Sequence, residues 1–111
     1  KSKISNAITI CGEPFQCCPM PQAAMPTHPS VYVVLGVDQW GTWTVLDVGQ
    51  TDESGDESQA AERQSCWTEK CPSKNLWFGL HSAPGPVNVT DRNVLAGRIC
   101  AEHKPQCTPK A

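Results

Sequence analysis

The sequence predicts an α+β domain in which a small three-stranded antiparallel sheet is flanked by helices. Three observations predict it: a β-branched run at 31–37, an alternating run at 42–48, and apolar residues at helical spacing near the carboxyl end. A chain of 111 residues is long enough to bury one core, so we expect a single domain over 1–111. Within it we expect a Pro- and Cys-rich extended arm over 1–29 and a folded core over 30–107.

The arm contains five prolines and three cysteines and has little periodicity. Proline removes a backbone donor and restricts the residue before it, so this stretch cannot be a regular helix. We expect it to lie extended over the sheet, with the segment from Ile8 to Cys11 as a candidate edge strand. Its expected apolar anchors are Ile8, Ile10, Phe15 and Met20.

The two central strands are expected to form a hairpin. The run at 31–37 is too short for a free-standing helix and suits a strand buried on both faces. A polar break at 38–41 should expose Trp40 in the hairpin loop. Strict alternation in the second strand puts Trp43 and Val45 on one side and Thr44, Leu46 and Val48 on the other. The same strand brings Asp47, Gly49 and Thr51 to one end of the sheet.

A first helix is predicted between residues 50 and 63, with Ser54 as a candidate N-cap and helix formers from Asp56 onwards. Its apolar face is thin, although Cys66 and Trp67 could face the core. Five acids and no base lie between residues 52 and 62, which makes this corner locally negative. They are Asp52, Glu53, Asp56, Glu57 and Glu62.

The carboxyl-terminal part is expected to contain a loop over 66–74, a third strand over 75–81 and a last helix. Thr90 is the expected N-cap of that helix, and Pro105 should end it. The predicted apolar stripe consists of Val94, Leu95, Ile99 and Cys100.

Charge and cysteine content limit the partners and the compartment. The net charge is −2 and the pI is near 5.9, so the electrostatic field of the whole chain does not attract nucleic acid. No stretch approaches the roughly 20 apolar residues of a membrane helix. We therefore expect no membrane association. Seven cysteines are an odd number for a closed disulfide framework, which favours a reducing cytoplasm; an extracellular compartment is the alternative.

Short motifs in this order resemble those of the GIY-YIG nuclease domain. The segment SVYV at 30–33 stands where that family has its first motif, and DVG at 47–49 followed by QTD stands where it has its second. The pair Cys66-Trp67 and the ending LAGRICAEHKPQC are similar to features of one bacterial branch. The resemblance covers roughly residues 14–107.

The resemblance implies a site in which two tyrosines, an arginine on the first helix and a glutamate on the last helix cut a phosphodiester with one divalent ion. Here Tyr32 matches the first tyrosine, and Asp47 stands at the second. The arginine position falls on Glu57, or on Asp56 if the register shifts by one. The metal glutamate falls on Ala96 or Gly97, the branch's helix histidine on Ala61, and its closing asparagine on Lys104.

These replacements change the chemistry of the implied site. A carboxylate in place of a phosphate-facing arginine turns attraction into repulsion, and alanine in place of the glutamate cannot hold a hard cation. We therefore predict a non-catalytic nuclease-like domain that serves binding or interaction, with Tyr32, Asp47 and Glu57 at the family's site positions. The alternative is a DNA endonuclease with a rearranged site that uses Mg²⁺ or Mn²⁺.

A zinc- or disulfide-stabilised small module is a further alternative. Cys66, Cys71, His103 and Cys107 loosely match zinc-ligand spacing, but local disulfides or buried thiols are the commoner outcome. The acidic run lacks the spacing of a calcium loop and suits a solvated face better. Protein and nucleic acid both stay open as partners, and the acidic residues 52–62 disfavour nucleic acid.

Overall fold

The computed structural model describes residues 3–19, 30–51, 65–71, 75–81 and 88–107. In this part of the chain there are five strands and two helices, which confirms the α+β class. The strands are β1 (Ala7–Ile10), β2 (Glu13–Pro19), β3 (Ser30–Val37), β4 (Trp43–Thr51) and β5 (Leu76–His81). The helices are α1 (residues 65–70) and α2 (Val89–His103).

The sheet has five antiparallel strands in the order β1-β2-β5-β3-β4, rather than the predicted three. The predicted strands β3, β4 and β5 form one half of it. Strand β3 is hydrogen-bonded to β4 on one side and to β5 on the other, and all eight of its residues are buried. The β-branched run was therefore a correct indication of a strand covered on both faces.

The arm supplies the other half of the sheet instead of lying over it. Strand β1 matches the candidate edge strand, and β2 pairs with β5 from Phe15 opposite His81 to Pro19 opposite Trp77. Pro14 does not interrupt this ladder because it precedes the first pair with β5. The anchors Ile8, Ile10 and Phe15 are buried as expected, and Met20 lies outside the described residues.

A β-bulge changes which face the residues of β4 occupy. Leu35 pairs with Val45, but its neighbour Val34 pairs with Asp47, so Leu46 is the extra residue. A bulge of this kind shifts the alternation by one position. Val45 and Val48 consequently share one core cluster, and the prediction that they face opposite sides was wrong.

The hairpin loop after β3 is closed by Asp38. Its Oδ1 accepts hydrogen bonds from the backbone N–H groups of Trp40, at 3.0 Å, and Thr42, at 2.9 Å. Gly41 adopts φ +81°, a left-handed conformation that favours glycine. Trp40 is 67% exposed at the tip, as predicted.

The sheet is covered on both faces by residues from the two helices. On one face Leu95 and Ile99 of α2 pack against alternate residues of β3, including Val33, and against the buried residues of the first hairpin. On the other face Trp67 of α1 covers Tyr32 and its neighbours. Of the predicted α2 stripe, Leu95 and Ile99 are buried, Cys100 is partly buried and Val94 is 56% exposed.

The ends of α2 differ slightly from the prediction. Asn88, rather than Thr90, is the N-cap, and its side chain accepts a hydrogen bond from the Asp91 N–H at 2.8 Å. Lys104 takes a left-handed C-cap conformation before Pro105. Residues 65–70 are helical where a loop was predicted. Of the predicted first helix, residues 50 and 51 belong to β4, and residues 52–63 lie outside the described residues. No helix in the described ranges is long and apolar enough to cross a membrane.

Candidate functional site

Asp47 lies in the protein interior, at the position that the resemblance matches to a catalytic tyrosine. Its exposed fraction is 0%, and its Oδ2 accepts a hydrogen bond from the Trp67 Nε1–H at 2.7 Å. The bulge at Leu46 directs it to this face, where α1 covers it. The sequence left open whether Asp47 was at a solvent edge or at a site, and the structure excludes the solvent edge.

Tyr32 occupies the same face of the sheet. It is 8% exposed and stacks on Phe78 with ring centroids 5.3 Å apart and an angle of 22° between the planes. It lies opposite Gly49, where an added Cβ would overlap the Tyr32 ring. Because Val34 pairs with Asp47, Tyr32 and Asp47 are diagonal neighbours across β3 and β4. The structure therefore brings these two predicted site residues together.

Of the other predicted site positions, Ala96 and Gly97 do not join them. Glu57, with Asp56 and Ala61, lies outside the described residues. Ala96 is partly buried against the core cluster on the α2 side of the sheet, and Gly97 is exposed there. The positions matched to the metal glutamate are thus separated by the sheet from Tyr32 and Asp47.

A disulfide links Cys66 of α1 to Cys107, which follows α2, with a Cα–Cα distance of 5.7 Å. The Cys107 N–H also donates a hydrogen bond to the Leu46 carbonyl at 2.9 Å. The disulfide and this hydrogen bond together hold α1 in place over Asp47. Because both sulfurs are in the disulfide, neither Cys66 nor Cys107 is a thiolate. The four residues of the spacing-based zinc set, which match zinc-ligand spacing in the sequence, do not form one cluster in the structure. The buried Cys71 thiol contacts the Asn75 carbonyl at 3.7 Å, and His103 lies beside Trp43.

Five cysteines in the described ranges lie outside this disulfide: Cys11, Cys17, Cys18, Cys71 and Cys100. Burial raises the pKa of the Cys17 thiol to about 11, and its neighbour Cys18 adds to the shift. Disulfides persist mainly in oxidising compartments, whereas all five of these cysteines are present as thiols, so the cysteines favour neither kind of compartment. The cytoplasmic location therefore stays a prediction.

A groove of about 510 Å³ lies at the hairpin end of the sheet. Trp40 and Asp38 line one part of it, and Lys70, His103 and Lys104 line another. The sequence indicated only the exposed Trp40, because the cationic residues come from α1 and from the end of α2, far away along the chain. Three nearby basic or titratable side chains around an aromatic one make this groove the clearest surface for a ligand in the described part of the chain.

Comparison of the chain with protein-family models, with curated proteins and with solved structures found no match. The resemblance to the GIY-YIG domain accordingly stays a prediction from the motifs.

Proposed function

We propose that this domain is a non-catalytic binding module with a GIY-YIG-like arrangement of strands. The observation that carries the proposal is the burial of Asp47 beneath Trp67. A group that performs general base or metal chemistry must come within hydrogen-bond reach of the substrate. Asp47 cannot do so while α1 covers it, so its role is to attach α1 to the sheet.

Two further features support the loss of phosphodiester chemistry. The positions matched to the metal-binding glutamate are Ala96 and Gly97, and they lie on the α2 side of the sheet, away from Tyr32. Alanine and glycine supply no carboxylate for Mg²⁺ or Mn²⁺. The acids over 52–62 add repulsion towards a polyanionic backbone.

The binding surface in this proposal is the groove beside Trp40. Exposed aromatic residues with few rotatable bonds bury a large contact area at low entropic cost, and they are enriched at binding sites. Lys70 and Lys104 favour carboxylates in the bound partner, whereas the Asp38 carboxylate is already engaged by two backbone N–H groups of its own loop. The proposed partner is therefore a protein segment that combines acidic and apolar side chains.

The test is a plasmid assay with the purified protein in Mg²⁺ and in Mn²⁺. We expect supercoiled DNA to stay uncut with the wild-type chain. Tyr32→Phe keeps the ring that stacks on Phe78 and removes only the hydroxyl, so it is the matched variant. Cleavage by the wild type that disappears in Tyr32→Phe would overturn the proposal and favour the rearranged endonuclease. Cleavage of equal rate in both proteins would also overturn the proposal if it persists through further purification, because a site need not use the Tyr32 hydroxyl; cleavage that purification removes comes from a contaminant and agrees with the proposal.

A further inference from the structure

A second cluster of reactive side chains lies where the turn between β1 and β2 meets the end of α2. Cys11 is in that turn, and Glu102 and His103 are the last two residues of α2. The Cys11 Sγ, a Glu102 carboxylate oxygen and a His103 ring nitrogen all lie within 4.8 Å of one another. We propose that these three residues bind a zinc-class divalent cation. Of the spacing-based zinc set, only His103 belongs to this site.

The three donor types suit zinc better than a hard cation. Thiolate, imidazole and carboxylate are the side-chain ligands of Zn²⁺, and a site with three protein ligands keeps a fourth position for water. Tetrahedral bonds of about 2.0–2.3 Å place ligand atoms roughly 3.5 Å apart. The cluster therefore closes around an ion by about 1 Å of side-chain movement or less. Glu102 is exposed and the other two residues are half-buried, so rotation of the side chains suffices.

Binding of the cation removes one proton from the Cys11 thiol and forms one metal–sulfur bond in its place. In the metal-free form the Cys11 thiol donates a hydrogen bond to Glu102 Oε2 at 2.9 Å. When the cation enters, the S–H bond breaks, the proton goes to solvent and the metal–sulfur bond forms, with no change of oxidation state. The thiolate and the carboxylate then supply two negative charges, which balance the divalent ion.

The surroundings hold the ligands in place. Arg98 Nη2 donates to the Cys11 carbonyl at 3.2 Å and thereby attaches the turn to α2, while Cys11 itself adopts a left-handed φ of 52°. The ring of Trp43 lies 5.8 Å from that of His103 and restricts its orientation. The negative end of the α2 dipole also favours a cation here. The positive charges of Arg98 and Lys104 oppose it, so both anionic ligands are needed.

The experiment is a titration of the oxidised protein with Co²⁺, without reductant, followed by competition with Zn²⁺. We expect one equivalent to bind with a thiolate-to-cobalt charge-transfer band, displaced by Zn²⁺ and not by Mg²⁺. Cys11→Ser should abolish the band. Loss of an outer-shell partner typically weakens binding 10–100-fold, so Glu102→Gln and His103→Gln, which remove direct ligands, should each weaken it at least about 10-fold.

Matched variants elsewhere separate this site from general cation binding. Cys18→Ser, Glu69→Gln and His81→Gln change the same residue types outside the cluster and should leave Co²⁺ affinity unchanged. Absence of stoichiometric binding, a band that persists in Cys11→Ser, or equal weakening in the control variants would overturn the proposal. Circular dichroism of each variant checks that it is folded. The readout is cobalt absorption rather than DNA cleavage or peptide binding, so failure of this proposal and failure of the proposed function are distinguishable, even though His103 also lines the groove.

Discussion

The Trp67 indole donates a hydrogen bond of 2.7 Å to the fully buried Asp47 carboxylate and so joins α1 to strand β4. The disulfide between the adjacent Cys66 and Cys107 reinforces the same layer covalently. In a low-dielectric interior a carboxylate needs its donors, and an indole N–H needs an acceptor. This pair therefore has a structural role at the position that the motif resemblance matches to a catalytic tyrosine.

Trp67→Phe should lower the free energy of unfolding by about 1–3 kcal/mol, because it leaves the buried carboxylate with one donor fewer. Urea denaturation followed by circular dichroism measures the change. Trp77→Phe is the matched control, because the Trp77 Nε1 has no hydrogen-bond partner among the described residues. Removal of that N–H leaves no acceptor unsatisfied. A loss in Trp77→Phe as large as in Trp67→Phe would mean that ring volume, rather than the bond to Asp47, explains the effect.

The sequence predicts well where local composition decides the structure. The β-branched run of β3 and the alternating start of β4 correctly predict the central hairpin, since a buried strand needs those side chains in any context. Trp40 was correctly placed at an exposed turn, because Asp38 and Gly41 are residues that close such loops.

The sequence does not predict features that depend on pairing. The prolines of the arm concealed β2, because proline lowers strand propensity even where, as at Pro14, the ladder with β5 starts one residue later. The hydropathy pattern of β4 does not indicate the bulge at Leu46. That bulge determines which face of the sheet Asp47 occupies, and so places it against α1. The Cys66–Cys107 bond spans 41 residues, and Cys11 lies 91 residues from Glu102, so no local pattern indicates either contact.

Gly49→Ala should destabilise the fold by about 1–3 kcal/mol, the usual cost of adding a methyl group to a packed site. The added Cβ would overlap the ring of Tyr32, which is confined by its stack on Phe78. Thermal denaturation measures the effect. Gly97→Ala is the control: among the described residues, a Cβ at that exposed position would meet nothing within 4 Å apart from its own helix backbone, so we expect a gain of up to about 1 kcal/mol from helix propensity. Equal stability of Gly49→Ala and the wild type would show that the Tyr32 ring can move aside.

Cys17 should resist alkylation by iodoacetamide at pH 8, whereas the half-buried Cys18 beside it should react first. The thiolate is the reactive form, and burial, with a contribution from Cys18, raises the pKa of Cys17 from 9.0 to about 11. Mass spectrometry of partly alkylated protein gives the order of modification. Faster labelling of Cys17 than of Cys18 would contradict the packing of Cys17 beneath Gly79 and Val33.

The same shift predicts a loss of stability in alkali. The folded-state pKa of Cys17 lies above the unfolded value, so the unfolded chain releases the proton first as the pH rises. The contribution is fully present below about pH 9 and is lost as the pH approaches 11. The urea midpoint should therefore fall between pH 8 and pH 10, and it should fall less in Cys17→Ala. An unchanged pH dependence in that variant would assign the loss to other groups.

Peptides selected from a random library on the immobilised protein should be enriched in acidic residues next to an apolar one. The groove offers them Lys70 and Lys104 beside the exposed Trp40. Trp40→Ala should remove most of the binding while it changes stability by less than about 0.5 kcal/mol, because the side chain is at the surface.

Lys70→Glu combined with Lys104→Glu should reverse the preference for acidic peptides. Lys3→Glu reverses one charge at an exposed lysine that does not line the groove, so it is the control for Lys70→Glu and Lys104→Glu tested singly. Equal binding of the selected peptides to the double variant and to the wild type would exclude the groove as their site, since its attraction for carboxylates depends on those two ammonium groups.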